Sequence, residues 1–175
     1  MKAIVKPTVI LFIICVLVAG ILAGTHVLTR TPIAEAEEKA RQESVREVLP
    51  DASVMELLAV EGVDAFIGKD ATGSVVGYAF LTSAKGYGGD VSVTVGFDTR
   101  GNVIGIVVSA PDETPGLGSN VQKESFGGQF IGMSADAGVL DVDYVTSATY
   151  SSKAVVAAVG LAMEQYQSVV KGGEQ

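Results

Sequence analysis

Two runs of this 175-residue chain concentrate the side chains that could do chemistry. The first, Pro111-Asp112-Glu113-Thr114-Pro115-Gly116-Leu117-Gly118, follows an aliphatic stretch that ends near Ala110. Its prolines fix an irregular backbone, Gly116 and Gly118 permit close approach of a flat ligand, and Leu117 offers an apolar contact between them. A structural strand-end turn has the same composition, so the residues alone leave both readings open. The second run, DYVTSATYSS from Asp143 to Ser152, is rich in hydroxyls and leads straight into helical periodicity. Helix capping accounts for Ser151 or Ser152 but not for the whole run. A phosphate on Thr149 would sit at the orphan N–H groups and positive dipole end of that helix. Lys153, in its first turn, would help neutralise the charge.

What the chain lacks narrows the chemistry further. Cys15 and His26 are its one thiol and one imidazole, and both precede residue 30. Ser-His-Asp or Cys-His nucleophilic catalysis, a Cys/His zinc site, Cys-ligated iron-sulfur clusters, a CxxC pair and histidine-ligated haem are therefore excluded from the body. Glu113, Asp141 and Asp143 are separated by loops without metal-ligand spacing, and no metal is assigned. Redox work would need a bound cofactor, since no side chain of the body can carry it. The chain has 12 basic and 20 acidic residues; Lys2 and Lys6 precede the first apolar run and every acid follows it, leaving 10 against 20 beyond it. So acidic a body, without a basic cluster, disfavours nucleic-acid binding.

The elements that must position these loops are legible in outline. From Pro7 to Thr29 no residue is charged, and a helix of that length reaches roughly 33 Å, enough to span a bilayer. Lysines before it and Glu35, Glu37 and Glu38 after it place the tail in the cytoplasm and the body outside. A cleaved signal peptide is the competing reading, and the length of the apolar run favours a retained anchor. Residues 30–50 read as a solvated linker helix, capped by Thr31, with Pro32 in its first turn and a stop at Pro50. Its one weak apolar stripe is Ile33, Ala36, Ala40, Ser44 and Val48.

Beyond residue 60 the pattern becomes extended. DAFIGKD and SVVGYAFLTS flank a turn at Ala71-Thr72-Gly73, and Val91 to Val95 and Val103 to Val108 flank a second turn from Asp98 to Asn102. Val155, Val159, Ala162, Met163, Tyr166 and Val170 fall at helical spacing in Ser151–Val170, predicting a helix that closes over an antiparallel sheet. The fold class is α+β, a single domain over residues 51–171 with a short tail at 172–175. Tyr78, Tyr87, Phe126 and Phe130 suit either core positions or a pocket wall, core being the commoner use.

The string TSATYSSKAV at 146–155 resembles the S/T-G-A-T motif of the FMN-binding domain family. That family includes the G subunit of Rnf-type electron-transport complexes and the C subunit of sodium-translocating NADH:quinone reductase. The resemblance implies that a flavin transferase, using FAD, joins FMN to Thr149 through a phosphoester, with Asp143, Thr146 and Ala148 fitting its recognition pattern. ETPGLG at 113–118 stands as in the family, where the loop contacts the isoalloxazine and ribityl parts of FMN. The implied cofactor residues are Glu113, Thr114, Gly116, Leu117, Gly118, Thr146, Ser147, Ala148, Thr149 and Lys153. GYGGDVSVTVGFDTRGNVIGIVV at 86–108 and QFIG at 129–132 extend the agreement over most of residues 30–170. Two positions depart from the pattern. Ser147 stands where glycine is usual, and its side chain restricts positive φ; Pro111 stands where a histidine is often seen.

The resemblance implies an electron-relay subunit of a membrane-bound complex of the ferredoxin/NAD type that moves Na⁺ or H⁺. Its partners would be the other membrane subunits and, during maturation, the transferase. No GxGxxG follows a strand and opens a helix, so the domain alone is expected not to oxidise NADH. A stand-alone extracytoplasmic flavin carrier and a non-catalytic FMN-binding or sensory module are the alternatives.

Overall fold

In a computed structural model of the chain, residues 2–138 and 140–172 are described. Met1, Val139 and residues 173–175 lie outside them, as do the side chains of residues 2–6, 27, 28 and 31, and with them the cap expected of Thr31 and most of the expected tail. The chain divides into two compact units, Met1–Gln42 and Glu43–Gln175.

Helix α1 runs Lys2–Val48 and makes up the described part of the first unit. Its segment Pro7–His26 has a mean hydropathy of 2.7 and is the one helix among the described residues long and apolar enough to cross a membrane. Within and just beyond this run the hydroxyls of Thr25 and Thr29 donate back to the carbonyls of Leu22 and Thr25, both at 2.9 Å, so neither polar side chain is left bare. The expected fresh start at Thr31-Pro32 is corrected: the helix continues through Pro32. An interior proline forfeits a backbone bond at a cost of about 3 kcal/mol. The strong helix formers of Ala34 to Ala40 oppose that loss.

The second unit is built on an antiparallel meander, β1 (Val54–Leu57), β2 (Ala65–Lys69), β3 (Val75–Lys85), β4 (Asp90–Phe97) and β5 (Val103–Ser109), ordered in space as in sequence. Both expected turns are present, and they use one device. Asp70 Oδ1 accepts the Thr72 and Ser74 N–H groups at 2.7 and 3.0 Å, and Asp98 Oδ1 accepts those of Arg100 and Asn102 at 2.9 and 2.8 Å. Strand β1 begins before the extended pattern expected from residue 60. It is an edge strand with Val54 and Leu57 exposed, so no alternation of burial marks it in the sequence.

Helix α3 (Thr149–Tyr166) lies on one face of the sheet, and its buried Val155, Val159, Met163 and Tyr166 share a core with Phe80, Val93, Val95 and Phe97. Tyr166 packs edge-on to Tyr78 and Phe80, with ring centroids 5.8 and 6.1 Å apart. The short helix α2 (Glu124–Gly127) and a 3₁₀ turn at Gly128–Phe130 follow β5 and set Phe126 and Phe130 into the same core.

The opposite face takes the end of α1, which corrects the solvated reading of that segment. Val45, Val48 and Leu49 are buried there against Ala79. Glycines let them in. A Cβ on Gly96 would lie 2.9 Å from the Cβ of Val48, and one on Gly105 would lie 2.7 Å from its Cα. Ser44 Oγ and Thr94 Oγ1, 2.9 Å apart, pin the same contact.

Candidate functional site

The loop after β5, the hairpin between β3 and β4 and the start of α3 converge on one cavity of about 280 Å³. Tyr87, Glu113, Thr114, Leu117, Gly118, Ser147, Ala148, Thr149, Tyr150 and Ser151 line it. Seven of the residues singled out in the sequence are thus brought together from two distant runs. Gly116, Thr146 and Lys153 are not in the lining. Gly116, at φ +76°, serves its own loop: its N–H donates to Ser119 Oγ at 2.9 Å and its carbonyl accepts from Asn120 at 2.8 Å. Thr146 and Lys153 are exposed.

Glu113 is the buried charge of the site, only 3% exposed. Its Oε1 accepts the Tyr87 N–H at 2.7 Å and the Gly88 N–H at 3.3 Å. Its Oε2 is buried and has no hydrogen-bond partner among the described residues. An unsatisfied buried acceptor costs about 1–3 kcal/mol, a cost that a ligand's donor would remove. Gly118 corrects a detail of the sequence reading. Its missing side chain makes room first for the protein's own Glu113 carboxylate and for Ser151 Oγ, 2.9 Å from where a Cβ would be. Gly86 and Gly88 let the tip of the β3–β4 hairpin lie against Asp112 and Glu113 in the same way, and Gly89, whose Cβ would be 2.6 Å from that of Asp112, completes the contact.

The start of α3 is unusual in two respects. Ser147 has φ +67° and is the one non-glycine residue with positive φ among those described. The left-handed conformation costs an L-residue roughly 1 kcal/mol, so the glycine-like backbone is adopted here against that preference. The N-cap is Ala148, which makes no side-chain bond, and the first backbone bond of the helix runs from the Ser152 N–H to the Ala148 carbonyl at 2.8 Å. Neither Ser151 nor Ser152 caps the helix. Both are buried, and Ser152 Oγ instead accepts the Val145 N–H at 3.1 Å. The first-turn N–H groups therefore have no side-chain cap, as an anion site at a helix start requires. Thr149, the first helical residue, is exposed at the cavity.

QFIG has a mechanical role. Gln129 clasps the backbone of Asp143, accepting its N–H at 2.8 Å and donating to its carbonyl at 3.1 Å, which anchors the hydroxyl-rich loop from behind. Of the aromatic residues weighed as pocket wall, Tyr87 lines the cavity, whereas Tyr78, Phe126 and Phe130 belong to the core. Tyr150 and Ser151 are lining residues that sequence reasoning did not assign to a site. The adjacency of Tyr150 to Thr149 was the available signal. Among the described residues no group of acids, His or Cys is placed to hold a metal ion.

Comparison with known proteins agrees with this fold. An FMN-binding domain model matches residues 86–164, and a model of the RnfG N-terminal region matches residues 1–48. The G subunit of the Na(+)-translocating ferredoxin:NAD(+) oxidoreductase complex of Acetobacterium woodii is 30% identical, the match covering 97% of this chain and 95% of that one. The G subunit of the ion-translocating oxidoreductase complex of Methanosarcina acetivorans is 31% identical, with 98% of each chain covered. The crystal structure of Shewanella oneidensis NqrC superposes with a TM-score of 0.54 at 19% identity, over 70% of this chain and 71% of that one, and shares the α+β fold. The chain belongs to the family of the G subunits of ion-translocating oxidoreductase complexes, with an FMN-binding domain as its body.

Proposed function

We propose that this chain is the electron-relay subunit of a membrane-bound, ion-translocating ferredoxin:NAD-type complex and carries FMN as a phosphoester on Thr149. The observation that carries this reading is the exposed Thr149 hydroxyl at an uncapped helix start, opening on a cavity whose buried wall holds the unpartnered Glu113 Oε2. The residues fit the group. The N–H groups of the first turn of α3 and the nearby Lys153 suit a phosphate; Glu113 Oε2 suits a ring or ribityl donor; Leu117 and Ala148 suit the apolar part of the ring. Bound there, FMN supplies one- and two-electron chemistry that no side chain of the body offers.

Attachment uses FAD as donor and a flavin transferase as catalyst. Thr149 Oγ1 forms a bond to the flavin-side phosphorus and loses its proton, and the adenylate half of FAD leaves. Ser147 holds the backbone in the conformation glycine would give, so the motif is presented in its working shape despite the substitution. The apolar segment Pro7–His26 anchors the chain in the membrane, with Lys2 and Lys6 on the cytoplasmic side and the FMN domain outside. The other membrane subunits of the complex are its electron donor and acceptor.

The test is intact mass of the full chain produced with and without a flavin transferase, alongside Thr149→Val. The expected result is a gain of one FMN less one water, seen only with the transferase and absent from the variant. An unmodified chain in the presence of an active transferase, or a gain that survives Thr149→Val, would overturn the covalent assignment.

A further inference from the structure

Tyr87 and Tyr150 are 76% and 71% exposed, more than any other aromatic side chain described in the body. They reach the cavity from elements distant in sequence, the tip of the β3–β4 hairpin and the first turn of α3. Their ring centroids are 6.3 Å apart and their planes are tilted by 50°. Both are held at the backbone. The Tyr87 N–H is bonded to the buried Glu113 carboxylate, while Tyr150 sits in a regular helix whose side chains lean toward its amino-terminal end, the end that bears Thr149. Fixed backbones that leave two large rings in water are out of keeping with Tyr78 and Tyr166, which the same domain packs into or against its core. Rings presented in this way are suited to covering a flat, largely apolar ligand at small entropic cost.

We propose that Tyr87 and Tyr150 form an aromatic wall at the cavity mouth that packs on the isoalloxazine of the FMN carried by Thr149; this rests on the FMN reading above. The rings do not make a sandwich. Two rings stacked on either side of a flat group need about 7 Å between them, twice the carbon contact distance, and the tilted pair is closer than that. The wall therefore covers one side of the ring system and leaves the other accessible to a partner. The apolar Leu117 and the Glu113 Oε2 acceptor complete an amphipathic surface matched to a fused ring with both apolar carbons and an N–H.

The experiment uses the full chain in detergent, produced with an active flavin transferase, as wild type, Tyr87→Phe/Tyr150→Phe and Tyr87→Leu/Tyr150→Leu. Intact mass reports FMN occupancy, and emission yield and iodide quenching are read per mole of bound FMN. A phenol in contact with an excited flavin quenches its emission by a one-electron exchange that reverses without net reaction. The Phe pair is expected to raise emission several-fold at unchanged iodide accessibility, because packing is kept and the phenol is gone. The Leu pair is expected to raise both. Emission and iodide accessibility equal to wild type in the Leu pair, at equal FMN mass, would overturn the wall. Failure of the wild-type chain to take up FMN is a distinct result, read from mass alone, and would overturn the parent reading with it.

Discussion

The turn at Asp98 and the cavity loop at Ser147 meet the same backbone demand in opposite ways. At the turn, Gly101 takes φ +87° as glycine does freely, and the Asp98 carboxylate binds the Arg100 and Asn102 N–H groups and the Asn102 side chain. At the cavity, a serine takes φ +67°, the nearby helix start has no side-chain cap, and the Glu113 carboxylate leaves one oxygen bare. The first region is satisfied by its own residues. The second leaves a buried acceptor and a helix start without side-chain partners among the described residues, the open groups that a bound ligand would satisfy.

The largest loss is expected where the satisfied turn is disturbed. Gly101→Val combines a forbidden φ with a Cβ 2.8 Å from the Tyr166 ring, and is expected to destabilise the domain by about 3 kcal/mol. A shift in the urea midpoint checks this, with FMN uptake per folded molecule unchanged. Asp98→Ala leaves the Arg100 and Asn102 N–H groups without their acceptor and is expected to cost about 2 kcal/mol by the same measurement. Ser147→Gly goes the other way. It relieves the left-handed strain and should stabilise the domain by about 0.5–1 kcal/mol, less than the full strain because glycine also loosens the unfolded chain. Because Ser147 already holds the glycine-like backbone, flavinylation at Thr149, followed as mass gain against time, should change little; a lower urea midpoint would show that the serine is not strained.

The smallest expected effect is on pH dependence. Partial burial pushes the Asp98 carboxyl up, but the bonds from Asn102 and Arg100 and the Arg100 charge outweigh it and leave it below its ordinary value of 3.8. Asp70 is likewise held low, chiefly by the Thr72 hydroxyl and the Ser74 N–H. A carboxyl lowered by folding contributes stability above its unfolded value and loses that contribution as pH falls through its folded value. The urea midpoint should therefore fall as pH is taken from neutral to about 3. Asp98→Asn should flatten part of that fall, and an unchanged slope would dissociate the turn from acid sensitivity.

Much of the fold was legible because the signals were local. Alternating valines marked β4, a β-branched run marked β5, the turn at Asp98 marked the break between them, and helical spacing marked α3 down to Tyr166. Signals failed where burial depended on distant partners. Val45, Val48 and Leu49 read as the end of a solvated helix because the glycines that admit them, Gly96 and Gly105, lie roughly 50 residues away on other strands. Strand β1, exposed along most of its length, had no periodicity to show. Ser151 and Ser152 had the composition of caps, yet both are buried: Ser152 anchors the preceding loop through the Val145 N–H, and Ser151 lines the cavity.

The site divides along the same line. Residue identity by itself determined that any redox chemistry would need a bound cofactor, since the body has no thiol or imidazole, and showed a place for an anion at Thr149; the resemblance of the 146–155 and 113–118 runs to the FMN-binding family marked both as flavin sites. Those are properties of short runs, set by side-chain chemistry and backbone freedom. Tertiary structure alone decided that the two runs meet at one cavity, that Glu113 spends one oxygen on the hairpin and leaves the other open, and that Tyr87 comes to stand beside Tyr150. Each of these depends on the packing of residues far apart in the chain, and no local pattern records which distant atoms will be brought within contact.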